Sequence, residues 1–174
     1  MKRRAWACVA VGVFCALVAG CAGIFDAGSE LIPDPNLEQA VREAIGKPTG
    51  ALLPSDLSEL TELSAEGLGI KSIEGVQYCT NLTKLDFGGL VNRDPVSLST
   101  NEIVDISPLA GLTKLEFLWL HGNGIVDIEP LVRNRGLMDR GYVTLQENNL
   151  DTEPGSITMM EINYLKTRGV EVTY

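Results

Sequence analysis

"NEIVDISPL" begins at Asn101 and "NGIVDIEPL" begins at Asn123, 22 residues later. Asn, Ile, the Val-Asp-Ile triplet and Pro-Leu all recur in register. A fixed period of this length constrains a fold more than any other feature here. Each repeat must be one small structural unit that cannot bury its apolar face alone and therefore stacks on its neighbours.

The frame reads LxxLxLxxNxI, with Ile at position fourteen and Leu at position seventeen. One repeat fits it throughout: Leu115, Leu118, Leu120, Asn123, Ile125, Ile128, Leu131. The first repeat reads Leu60, Leu63, Ala65, Leu68, Ile70, Ile73, Val76, with Leu68 where Asn is expected. The second starts at Leu82, Leu85, Phe87, is interrupted by the eleven residues Leu90 to Thr100, and resumes at Asn101, Ile103, Ile106, Leu109. A fourth, degenerate repeat carries Val143, Leu145, Asn148 and Leu150 after three extra residues around "LMDRG". Positions four and six share one face of a short strand and point inward. The Asn at nine can bond backbone groups of the turn that burial would leave unpaired. Positions eleven, fourteen and seventeen fill the opposite wall.

This pattern resembles the leucine-rich repeat, in the 22-residue internalin-like form of bacterial surface proteins, over about residues 57 to 150. The resemblance implies an α/β fold: a short right-handed solenoid with a parallel concave sheet. It also implies protein recognition. The chain has few repeats, no C-terminal wall-sorting motif and no appended domain, so the adhesion or invasion roles of some relatives do not transfer with it.

The flanks read as caps. "IPDPNLEQAVREAIGKP" places Asp34 as an N-cap and Pro35 at the first helical position. Leu37, Ala40, Val41, Ala44 and Ile45 follow with helical spacing, and Gly46 and Pro48 end the run. Ser55 starts a second helical turn. Beyond the repeats, Ser156 caps a helix over Ile157 to Thr167, and "VEVTY" offers a last extended strand. Terminal caps are needed because an open coil exposes both core and sheet edge.

The N-terminus is set apart. Lys2, Arg3 and Arg4 precede an uncharged apolar run that ends in Val18-Ala19-Gly20-Cys21. A run this short suits a signal peptide rather than a membrane span. Its end resembles the bacterial lipobox, which implies that Cys21 is the first mature residue and carries lipid; ordinary secretion is the alternative. Acyl chains then tether the protein, since each buried CH₂ contributes roughly 0.8 kcal/mol. Ala22, rather than Asp, follows the Cys, which favours the outer membrane in a Gram-negative cell and the cell surface otherwise. The organisation expected is 1–20 signal peptide, 21–31 lipidated tether, 32–59 N-terminal cap, 60–150 repeats and 151–174 C-terminal cap.

Charge and cysteine content narrow the function. The chain carries −9, and −12 once the basic start is removed, which argues against nucleic acid. Past Cys21 only Cys79 remains, so no internal disulfide is available. Cys79 falls at position twenty, which Leu112 fills in the second repeat, and so reads as core. His121 is the single His and has no catalytic or metal-binding motif around it. No cofactor, metal or enzymatic role is expected.

Positions three, five and seven point away from the core onto the concave face. One part of that face carries Phe117, Trp119, His121 and Tyr142 together. Clustered exposed aromatics are enriched at binding hot spots. The alternative is that they pack against the C-terminal cap. The eleven-residue insert lies on the rim beside this face, with Asn92, Arg93 and Asp94 as contact candidates; long insertions also persist neutrally because they cost little. The function expected is a lipid-anchored module that binds a protein or peptide, or a glycan. A passive envelope lipoprotein is the alternative.

Overall fold

Strands of three residues form a stable sheet only if each is held by its neighbours, and here that holding is repeated in four parallel pairings. The computed structural model describes residues 31–89 and 100–174. Helix α1 spans Pro35–Ile45 and α2 Pro54–Leu57. Strands β1 Glu62–Ser64, β2 Lys84–Asp86, β3 Phe117–Trp119, β4 Tyr142–Thr144 and β5 Glu171–Thr173 form one parallel sheet in chain order. The return path of each coil is a short 3₁₀ turn or helix: Val76–Tyr78, Ser107–Leu109, then α3 Glu129–Arg133 and α4 Ile157–Thr167.

The core is a set of stacked apolar rows. Leu63, Leu85, Leu118, Val143 and Val172 are register partners along the sheet, and all are buried. The next inward row, Ala65, Phe87, Leu120 and Leu145, is buried as well, with the smallest side chain beside the largest. Ile70, Ile103 and Ile125 and the Ile73, Ile106 and Ile128 row close the opposite wall. Cys79 lies in this core with no exposure, and burial pushes its thiol up to about 12, so the thiolate nucleophile is suppressed.

An asparagine ladder joins the coils. Asn101 donates to the Ala65 and Phe87 carbonyls and accepts from the Leu68 and Ile70 amides. Asn123 donates to Phe87 and Leu120 and accepts from Ile103. Asn148 donates to Leu120 and Leu145 and accepts from Ile125. Every rung therefore bridges its own coil to the one before it. This explains Leu68: the first coil has no preceding coil to bridge, and the residue stands partly exposed.

The place of a preceding rung is taken by Asp34. Its Oδ1 accepts from the Asn36 and Leu37 amides and caps α1, while its Oδ2 accepts from the Lys71 and Ser72 amides of the first coil. One carboxylate thus fixes the cap helix to the solenoid. Leu37, Ala40 and Val41 are buried against the end of the core, Ile45 is half-buried, and Ala44, expected in the same stripe, faces solvent. Gly75 makes the junction fit: its φ is +101°, and a Cβ there would meet the Leu31 carbonyl at 2.4 Å.

At the other end Ser156 caps α4 by accepting from Met159. Ile162 and Leu165 are buried, and Arg168 donates to the Val132 and Asn134 carbonyls. Asn134 occupies position twenty, where the earlier coils have Cys79 and Leu112. Its fully buried side chain donates to the Leu109 and Leu112 carbonyls and accepts from the Gly136 and Leu137 amides. That polar substitution is where the fourth coil departs from the frame and takes up its three extra residues.

Two expectations follow. Asn101→Ala orphans buried backbone groups and should cost roughly 3 kcal/mol, lowering Tm by roughly 10 °C in a circular-dichroism melt; a shift under about 2 °C would show that the rung carries little. Acid should act through Asp34. Burial raises its carboxyl, but four backbone N–H donors outweigh burial and hold it below the usual carboxylate range. Its contribution is complete above the unfolded carboxyl's pKa and is lost as pH falls through the folded one. The Tm gap between the native chain and Asp34→Asn should therefore narrow from about pH 7 to about pH 3.

Candidate functional site

Period-two alternation sends the odd positions of each strand to the concave face, and parallel register lines them up in rows. The first row is Glu62, Lys84, Phe117, Tyr142 and Glu171. The second is Ser64, Asp86, Trp119, Thr144 and Thr173. Past the strands the sheet bonding continues from Gly67 to Gly88 and from Gly89 to His121, so Glu66, Gly88 and His121 form a third row.

Three of the four expected contact residues come together as one aromatic surface. Phe117 and Trp119 stack with centroids 6.0 Å apart and planes 14° apart. Tyr142 meets Trp119 edge-on at 6.3 Å. All three are half-buried, so each ring is supported by the sheet while part of it faces solvent. Such pairs are worth about 1 kcal/mol beyond their area, which holds the surface rigid.

His121 turns away from the rings. Its Nδ1 lies 3.0 Å from the Thr144 hydroxyl. Its Cε1 lies 2.4 Å from the point a Cβ on Gly88 would occupy, so the imidazole fills space that only glycine leaves open. Thr144 is itself buried beneath this contact and also accepts from the Leu120 amide.

Beside the aromatic surface lies an acidic pair that the aromatic pattern did not point to. Asp86 accepts from the Gly88 amide. Burial raises its carboxyl above the usual range, against that hydrogen bond and the attraction of His121. Burial also raises Glu66, the neighbouring Asp86 charge raises it further, and His121 opposes both. In the first row Lys84 is placed differently: its Nζ is 2.9 Å from Glu62 and 5.9 Å from the Phe117 centroid. The signal for the pair was present in the frame, since Glu66 and Asp86 hold outward positions seven and five of adjacent repeats.

The insert leaves after Gly89 and has returned by Thr100. A Cβ on Gly89 would lie 3.2 Å from the Thr100 Cγ2, so the two ends meet at the rim, next to Gly122. Asn92, Arg93 and Asp94, and Cys21, the expected lipidation site, lie outside the described residues.

No protein-family model matches the chain. It is 45% identical over 58 residues to internalin H of Listeria monocytogenes serovar 1/2a (strain ATCC BAA-679 / EGD-e), a stretch that covers 32% of this chain and 11% of that protein. The solved structure of an internalin, inlF, from Listeria monocytogenes str. 4b F2365 superposes with a TM-score of 0.57 at 30% identity, over 71% of this chain and 33% of that one. The repeats are internalin-like leucine-rich repeats. The chain spans only a third or less of these two relatives. In this internalin-like solenoid the acidic pair, Gly88 and Thr144 are what the aromatic pattern alone missed on the concave face. Asn134, equally missed, belongs to the scaffold.

Proposed function

We propose that this chain is a non-catalytic recognition module of the bacterial cell envelope that holds a protein or peptide against its concave sheet. The observation that carries the proposal is the contiguous ring surface of Phe117, Trp119 and Tyr142, half-exposed on a rigid parallel sheet. Aromatic anchors of this kind supply large contact area at small conformational cost, because the folded sheet has already ordered them. His121 is proposed to contribute from the neighbouring row, where its imidazole lies over Gly88 and against the Thr144 hydroxyl. Asn92, Arg93 and Asp94 of the rim insert are proposed to reach the same partner from the side. The internalin resemblance supports protein over glycan as the ligand class. In this reading Cys21 carries the lipid that keeps the module at the membrane, on the outer membrane of a Gram-negative cell or the surface of another.

A photo-crosslinker at Trp119 in the native cell should capture a discrete partner. Trp119→Ala should weaken binding of that partner by about 2 kcal/mol, roughly thirtyfold, with the sheet's circular dichroism unchanged. Unchanged affinity would favour a passive envelope role instead. Cys21→Ser should abolish palmitate labelling of the protein and release it from the membrane fraction. Retention of both would sink the lipid anchor.

A further inference from the structure

The three asparagine rungs differ in the residue that follows them. Glu102 follows Asn101, Asn149 follows Asn148, and Gly124 follows Asn123. Asn123-Gly124 is the only Asn-Gly pair in the chain. Without a Cβ, a glycine leaves its nitrogen unshielded and free to swing toward the side chain before it. The backbone does not demand glycine here. Gly124 has no positive φ, and the nearest atom to a Cβ on it would be Cγ2 of the exposed Val104, at 3.3 Å. The folded coil holds every atom of the pair. The Gly124 amide donates to the Ile103 carbonyl at 2.9 Å. The Asn123 Oδ1 accepts from the Ile103 amide at 3.0 Å, and its Nδ2 donates to the Phe87 and Leu120 carbonyls at 2.9 and 3.1 Å. One residue of the second coil, Ile103, thus clamps both the backbone nitrogen and the side-chain amide of the third.

We infer that Asn123 is a deamidation site gated by the fold: silent while the second and third coils are closed, reactive when they part, and one-way. The reaction needs only water. The Gly124 nitrogen gives up its proton and attacks the Asn123 Cγ. A nitrogen–carbon bond forms, the side-chain nitrogen leaves as ammonia with that proton, and a cyclic imide remains. Water then opens the ring on either side. Breaking the new bond leaves aspartate; breaking the old peptide bond leaves isoaspartate, with the main chain routed through the side chain. In the closed solenoid the nitrogen is tied to Ile103 and the leaving group to two carbonyls, so proximity alone does not become attack. Neither product can rebuild the rung. A carboxylate has no N–H for the Phe87 and Leu120 carbonyls and would set a buried charge against them. Isoaspartate also lengthens the backbone between two core rows. Each separation of these coils therefore carries a chance of permanent loss, whatever the concave face binds.

The test ages the full chain in mildly alkaline buffer made with heavy-oxygen water, once folded and once in unfolding urea. The heavy oxygen marks conversion during ageing. Peptide mapping then reads Asn101, Asn123 and Asn148 separately and resolves aspartate from isoaspartate. In urea Asn123 should convert at least about tenfold faster than the other two rungs and give both products. In the folded chain its conversion should be slower by at least about a hundredfold, because it follows the population of the opened state. Gly124→Ala should slow Asn123 in urea by about tenfold or more, a comparison that does not depend on how the variant folds. After removal of urea, the converted fraction should melt roughly 10 °C below the unconverted one. Equal conversion in the folded and unfolded chain overturns the gate. A rate at Asn123 in urea no faster than at Asn101 and Asn148, or unchanged by Gly124→Ala, overturns the role of the pair. A converted fraction that melts with the unconverted one overturns the permanent loss.

Discussion

Everything in this solenoid depends on buried backbone groups being paired between one coil and the next. A stack of three-residue strands has too few sheet hydrogen bonds to satisfy the turns that follow them. The amides of Asn101, Asn123 and Asn148 do so, each holding two position-six carbonyls and the position-eleven amide of the coil before it. The rungs set the spacing of the coils, and the spacing sets the rows of outward side chains. The concave face is thus built on a polar spine as much as on the apolar core.

The ends obey the same rule with different residues. At the first coil an aspartate replaces the asparagine and serves the cap helix at the same time. At the last, Arg168 reaches back to two carbonyls near α3 while β5 adds one more strand to the sheet. Both ends bury apolar surface that an open coil would expose, and both take up backbone groups that no further repeat supplies.

Most of the scaffold was legible because a repeat states its core positions several times. The inward rows, the helix begun by Asp34 and Pro35, and the helix begun by Ser156 all follow from spacing and capping chemistry in the sequence. Ala44 escaped because helical spacing says which residues share a stripe but not how wide the covered strip is. Leu68 looked like a defect until the direction of the rungs was known. Asn134 was hidden because a single polar residue at a core position has meaning only through the four backbone groups it meets. On the concave face the aromatic residues were legible from the frame, whereas the acidic pair became distinct only through its partial burial. The turning of His121 toward Gly88 depends on a missing side chain, which no periodicity reports.

The meeting of Gly89 and Thr100 has a consequence for how such a chain can change. The insert opens and closes between the last outward position of one coil and the asparagine that ties that coil to its predecessor. Because its two ends already touch, its length is uncoupled from the pitch of the solenoid. Residues can be gained, lost or exchanged there without moving a rung, a core row or a strand. The fold thus has a port: one point on the rim where sequence is free to vary while the geometry of the face beside it stays constant.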